Sequence, residues 1–353
     1  MDTVYRQIGA ILNDRRMTLA ETIVAKQYER QPGVWERYGE EGRAISVRDQ
    51  AYHLQFLAEA VIAQDQSLFM DYVNWARELF ASLKLPESGM TVALTCTRDV
   101  LRDNLSPEFA VITDEYLAAG LEAMQRAVPH TSEYIGTSGM FDSLARQYLH
   151  ALLQGHRQPA SRLILDAVDG GTSVKDVYLH VFQPAQYEIG RLWMTNQISV
   201  AQEHFCTAAT QLIMSQLYPH IFSTERIGRQ LIAACVGGEL HEIGVRMVAD
   251  FFEMEGWDTY YLGANMPTAT VVRTLNDRKP DVLGISATMT FHLRLVEDLI
   301  RQVRQADQEG AIKILVGGYL FTRHPDLWKH VGADGCSQDA QGAIKLANAL
   351  LTA

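Results

Sequence analysis

The chain has 353 residues, more than twice the roughly 150 of an ordinary domain, so two or three cores are expected. Hydrophobic residues make up 47% and charged residues 21%, the balance of a folded globular protein, which excludes a disordered or fibrous chain. Asp and Glu number 42 against 31 Lys and Arg, a formal charge of -11, so a phosphate-neutralising surface for nucleic acid is not expected.

Residues 1–130 read as wholly helical, because apolar residues recur at three- and four-residue steps: Tyr52, Phe56, Leu57 and Ala60, then Phe69, Tyr72, Val73, Ala76, Leu79 and Phe80. Pro86, Ser88 and Gly89 predict one break, and Pro129 with the polar run His130 to Ser138 predicts a linker. A second helical region follows over 139–222. Its main stripe runs from Val174 to Leu192, with Ser173 as the starting cap and Thr195-Asn196-Gln197 as the stop. Ser199 and Gln202 predict a capping box for the next helix, and the short connections suggest a bundle of about four helices. Over 228–353 short apolar runs (230–236, 257–263, 281–287 and 312–318) alternate with helical patterns, the signature of a doubly wound parallel sheet. Ligands bind such sheets outside the carboxyl ends of the strands, which directs attention to the loops after Val236, Leu262, Ile285 and Val316.

The four cysteines, Cys96, Cys206, Cys235 and Cys336, lie far apart with no Cys-x-x-Cys pair, which points to thiols in a reducing compartment. The first residues lack a signal-peptide core and no window approaches ~18 uninterrupted apolar residues. A cytoplasmic location without membrane contact is the expectation.

The chemistry concentrates after the first strand of the sheet. Glu239-x-His241-x-x-Gly244 sets a histidine on a loop at the sheet edge, able to offer a ring nitrogen to a metal or substrate. With Leu262 to Pro267, Gly284-Ile285-Ser286 and Gly317-Gly318, the pattern resembles the cobalamin-binding domain family over 228–353. That resemblance implies a flavodoxin-like, Rossmann-like sheet of five parallel strands. It also implies that His241 coordinates cobalt from below while the displaced nucleotide tail enters a slot lined by Ser286, Gly317 and Gly318. Imidazole suits cobalt, and glycines let a flat tail approach backbone. The family usually carries an aspartate where this chain has Glu239, one methylene longer, as the partner of the histidine.

Trp193, nine intervening residues, then Glu203-His204 resembles the signature of the light-sensing cobalamin photoreceptors, whose bundle caps the upper face of the corrin. The resemblance implies adenosylcobalamin as cofactor, Trp193 shielding the upper axial group, and Glu203 and His204 over the adenosyl moiety. The transcription-repressor members have a histidine directly after the tryptophan; here it is Met194, so the same lit-state adduct cannot form at that position. Their winged-helix segment is also not recognisable, and DNA binding is not expected. Residues 1–130 resemble the helical, globin-like sensor region of the photocobilin group, which binds biliverdin close to the corrin. His53, Tyr52, Trp75, Arg77 and Arg48 are of the types that surround a tetrapyrrole, with rings for stacking and guanidinium for propionates.

The expectation is therefore a non-enzymatic light sensor of α plus α/β class, in which photolysis of adenosylcobalamin, together with biliverdin, changes a homo-oligomer or engages a separate signalling partner. Two alternatives stand beside it: a corrinoid methyl carrier of a methyltransferase system, and a light-independent cobalamin sensor.

Overall fold

The computed structural model describes residues 2–126 and 133–352. Pro129 and the first residues of the predicted polar linker, from His130, lie outside them. The chain divides into two compact units: residues up to 130 with Met194–Asn196, and residues 131–193 with 197–353.

The first unit is helical, with long helices Asp2–Asp14, Arg16–Arg30, Gly39–Ala63, Gln66–Ser82, Glu87–Asn104 and Pro107–Ala123. The second half of Gly39–Ala63 is the core element: Leu54, Leu57, Ala58, Ala60 and Val61 are fully buried. Helix Asp2–Asp14 crosses it so closely that a Cβ on Gly9 would lie 2.3 Å from the Ile62 side chain. Asp65 caps Gln66–Ser82 by accepting from the Ser67 amide, and Ser106 followed by Pro107 opens the last helix. The break predicted at Pro86, Ser88 and Gly89 is confined to residues 83–86. Pro86 is the N-cap, and Ser88 and Gly89 already belong to helix Glu87–Asn104. Gly89 is small because a Cβ there would sit 2.7 Å from the Trp35 ring, not because the chain turns.

The second unit joins a helical bundle to a sheet. The bundle comprises Asp142–Leu153, Arg157–Asp169, a continuous run from Val174 to Met194, and Val200–Gln216. Ser173 caps the run by accepting from the Asp176 amide, and Ser199 with Gln202 forms the full capping box. Residues Tyr178–Phe182 form a π-helical segment, which periodicity alone does not signal.

The sheet has five parallel strands, β1 (Gln230–Val236), β2 (Asp258–Met266), β3 (Val282–Ser286), β4 (Lys313–Gly317) and β5 (Gly335–Cys336), in the order β2-β1-β3-β4-β5. Leu231 to Val236 are all buried, as a central strand covered on both faces requires. The fold is thus α plus α/β with the expected five-stranded parallel sheet. One strand end differs from expectation: β2 does not stop at Leu262 but continues to Met266. Positive φ at Gly263 (83°) and Asn265 (51°) and two register shifts against β1 carry it onward.

Bundle and sheet share one apolar core, in which Tyr178 and Phe182 meet Phe251, Phe252 and Trp257. Around it runs a polar seam on helix Ile243–Met254 and its flanks: Glu242 to Gln211, Arg246 to the Gln211 carbonyl and Ser215, Asp250 to Tyr178, and Glu255 to Lys175. Among the described residues no helix is long and apolar enough to cross a membrane.

Candidate functional site

The parallel register brings Cys235 of β1, Ser286 of β3 and Gly317 of β4 side by side at the carboxyl edge of the sheet. The loop leaving β1 rises over this edge and carries Glu239 and His241, and Gly244 lies in the first turn of the following helix. Glu239 organises the site. Its carboxylate is fully buried, and Oε1 accepts from the His241 amide (2.9 Å) and from His241 Nδ1 (2.5 Å). Oε2 accepts from the amides of Thr288 (2.6 Å) and Met289 (3.4 Å) and from Nδ1 of His292 (3.0 Å). The carboxylate of Glu239 therefore joins two loops, those after β1 and β3.

Burial alone would raise the Glu239 carboxyl, but the hydrogen bonds from His241 and His292 outweigh it and hold the group well below the usual carboxylate range. His241 is shifted upward, first by its hydrogen bond to Glu239 and against partial burial, with the charge of Glu203 adding a smaller push. Glu203 stands on bundle helix Val200–Gln216, so the predicted upper-face carboxylate and the predicted lower-face histidine lie within electrostatic reach. The His241 side chain is 61% exposed. With Nδ1 committed to Glu239, Nε2 is the nitrogen left for a ligand.

Beside it, the glycine pair divides its duties. A Cβ on Gly317 would meet nothing within 4 Å, so that position opens onto free volume next to Ser286. Gly318 has φ +91°, and a Cβ there would lie 2.4 Å from the Ala287 carbonyl oxygen and 2.9 Å from Ser286 Oγ. Its glycine is thus demanded by the backbone itself.

On the bundle, Glu203 Oε2 pairs with His204 Nδ1 and Oε1 accepts from Thr207 at 2.9 Å. Trp193, in the last turn of its helix, is 40% exposed, and Tyr187, Val200, Leu240 and Tyr319 are other large apolar side chains left open in the same unit. In the helical unit, His53 is buried, its Nδ1 lies 2.5 Å from the Tyr72 hydroxyl, and burial lowers its pKa to about 4. Tyr72 stacks on Phe56 at 3.7 Å and neighbours Trp75 at 6.0 Å, so the structure brings His53 and Trp75 together through Tyr72. Tyr52 is exposed and Arg48 lies beside Asp49. Arg77 donates to the Arg126 carbonyl at 2.5 Å and to the carbonyl of Ala123, the last residue of helix Pro107–Ala123, at 3.5 Å.

Sequence reasoning missed His292, Glu242 and Gln211. The available signals were positional: Glu242 adjoins His241, and His292 follows Ser286 by six residues.

Residues 229–346 match the B12 binding domain model, and residues 144–218 match a second B12 binding domain model. These are B12-binding domains. The B12-binding part covers both bundle and sheet, and residues 6–124 match the phycobilisome protein model. Among curated relatives, a corrinoid protein of Desulfitobacterium hafniense is 23% identical over 217 residues, covering 60% of this chain and 99% of that protein. Monomethylamine corrinoid protein 1 of Methanosarcina mazei is 26% identical over 215 residues, 59% of this chain and 95% of that one. The HTH-type transcriptional repressor CarH of Myxococcus xanthus is 26% identical over 207 residues, 58% of this chain and 64% of CarH. The structure of the Methanosarcina barkeri monomethylamine corrinoid protein superimposes with a TM-score of 0.53 at 19% identity, over 60% of this chain and 99% of that one, a likeness of fold.

Proposed function

We propose that this protein is a light sensor that holds adenosylcobalamin against the carboxyl edge of its sheet under the helical bundle. The observation that carries this reading is His241: exposed, fixed through Nδ1 by a buried carboxylate, and in the field of Glu203 from the bundle. The residues fit the cofactor. His241 would hold cobalt through Nε2, and the open space at Gly317, flanked by Ser286 and Gly318, would admit the nucleotide tail. Trp193, Glu203 and His204 would face the adenosyl group. When bound, adenosylcobalamin supplies a cobalt–carbon bond that light cleaves.

The chain's own part is to orient and to respond. Glu239 fixes the ring of His241, and the Glu203-His204 pair senses whether the upper group is present. The response is repacking of the bundle, read out as a change in homo-oligomerisation or in a separate signalling partner, without catalysis and without DNA. The likeness to CarH and the Trp193, Glu203-His204 spacing support light sensing. Biliverdin is proposed as a second chromophore of the helical unit, supported by the phycobilisome match and by the ring cluster of His53, Tyr72 and Trp75.

A second reading, a corrinoid methyl carrier, is favoured by the corrinoid proteins that this chain matches over nearly their whole length. A titration with adenosylcobalamin and methylcobalamin in the dark separates the two. Preference for the adenosyl form, lost in Trp193→Ala, supports the sensor; preference for methylcobalamin with no effect of light supports the carrier.

A further inference from the structure

We infer that Gln211 and Glu242 are a positioning pair that ties the bundle helix above the cofactor to the loop carrying the lower ligand, an inference that rests on the reading of His241 given above. Helix Val200–Gln216 presents Glu203, Thr207, Gln211 and Ser215 at four-residue steps, one face of one helix. At one end of this face Glu203 holds His204 and accepts from Thr207. Two turns on, Gln211 Nε2 donates to Glu242 Oε1 at 2.7 Å. Arg246 fastens the same stretch by donating to the Gln211 carbonyl (3.1 Å) and to Ser215 Oγ (2.7 Å).

Glu242 is the residue after His241, and its other oxygen accepts from the Tyr261 hydroxyl (2.7 Å) and the Ala264 amide (3.0 Å). Room for that oxygen comes from Gly263, where φ is +83° and a Cβ would approach Oε2 to 3.1 Å. The carboxylate thus has three donors from two directions: the sheet fixes one oxygen and the bundle helix holds the other. A shift of the helix at its Glu203 end is felt through Gln211 one peptide bond from His241. The Glu203 end of the bundle helix and the loop of His241 are coupled through these two side chains, and the preference for one upper group over another depends on them.

The test uses the full chain and dark absorbance titrations with adenosylcobalamin and hydroxocobalamin, together with electron paramagnetic resonance of bound cob(II)alamin to read nitrogen coupling from the axial imidazole. Wild type is expected to show that coupling and to prefer adenosylcobalamin. Gln211→Leu is expected to narrow the preference by about tenfold, the scale of outer-shell effects on metal sites. Glu242→Leu should do the same, the double variant no more than either, and Gln211→Lys, which restores a donor, should recover it. Because Glu242→Leu can disturb folding, the Gln211 variants carry the test alone if it does. An unchanged preference in Gln211→Leu, or losses that add in the double variant, would overturn the coupling while leaving His241 as ligand. A wild-type chain that binds cobalamin without imidazole coupling would remove the reading of His241 and this inference with it.

Discussion

Replacing Glu239 by Gln keeps the shape of the side chain and removes its charge, and the structure sets the size of the loss. Five donors converge on this carboxylate: the His241 amide and Nδ1 on one oxygen, the Thr288 and Met289 amides and His292 Nδ1 on the other. A glutamine can turn its carbonyl toward only one of these sets, and its NH2 then faces donors. The imidazoles can change tautomer, but the backbone amides cannot. One or two buried N–H groups are left unsatisfied, at about 1–3 kcal/mol each, so a loss of about 2–4 kcal/mol is expected in urea unfolding at neutral pH. The pH dependence has a definite sign. Because the folded carboxyl is held below its usual range, its stabilisation is present above the ordinary carboxylate pKa and is lost as pH falls below it; the variant should lack that part of the acid slope. Affinity for cobalamin should fall about 10- to 100-fold in parallel, as for other outer-shell partners of ligating histidines. Stability within about 0.5 kcal/mol of wild type, with an unaltered bound spectrum, would refute the role given to Glu239.

Further outcomes follow from single positions. Gly317→Ala meets no atom within 4 Å, so it should fold normally yet weaken cobalamin binding while sparing tail-less cobinamide; equal effects on both would remove Gly317 from the tail slot. Gly318→Ala should destabilise the protein itself by about 2 kcal/mol or more, measured by thermal unfolding without cofactor, because of its positive φ and the 2.4 Å approach to Ala287. Asp250, buried under Tyr178, is raised by desolvation to about 6, so its contribution to stability is lost as pH rises through that value. Relative to wild type, Asp250→Asn should therefore gain stability between pH 5 and pH 8, on the order of 1 kcal/mol, and a pH-independent difference would contradict this. Tyr72→Phe should break the His53 contact and shift any red absorbance of bound biliverdin, whereas an identical spectrum would exclude the ring cluster from the pigment site.

Much of the architecture was legible because it is written in local signals. Ser173, Ser199 and Gln202 are caps whose partners lie three residues away, and they form as read. Leu231 to Val236 is an unbroken apolar run, and its alternation with helical patterns marks it as a strand covered on both faces. The misjudged points depend on contacts remote in sequence. Gly89 reads as a turn residue until Trp35 is seen against it, and β2 passes Leu262 because Gly263 and Asn265 adopt positive φ beside β1. The site divides in the same way. His241 and Glu239 are two residues apart and readable as a pair, whereas His292 reaches Glu239 across 53 residues and Gln211 reaches Glu242 across 31 only once the sheet and bundle are assembled.

Light sensing through adenosylcobalamin is measured by reconstituting the full chain in the dark with that cofactor and recording its absorption spectrum and its size on gel filtration before and after illumination. A light-driven change in the cobalamin spectrum is expected, accompanied by a shift in size or in the capture of a partner. A cobalamin-bound protein whose spectrum and size are the same in darkness and in light would contradict it.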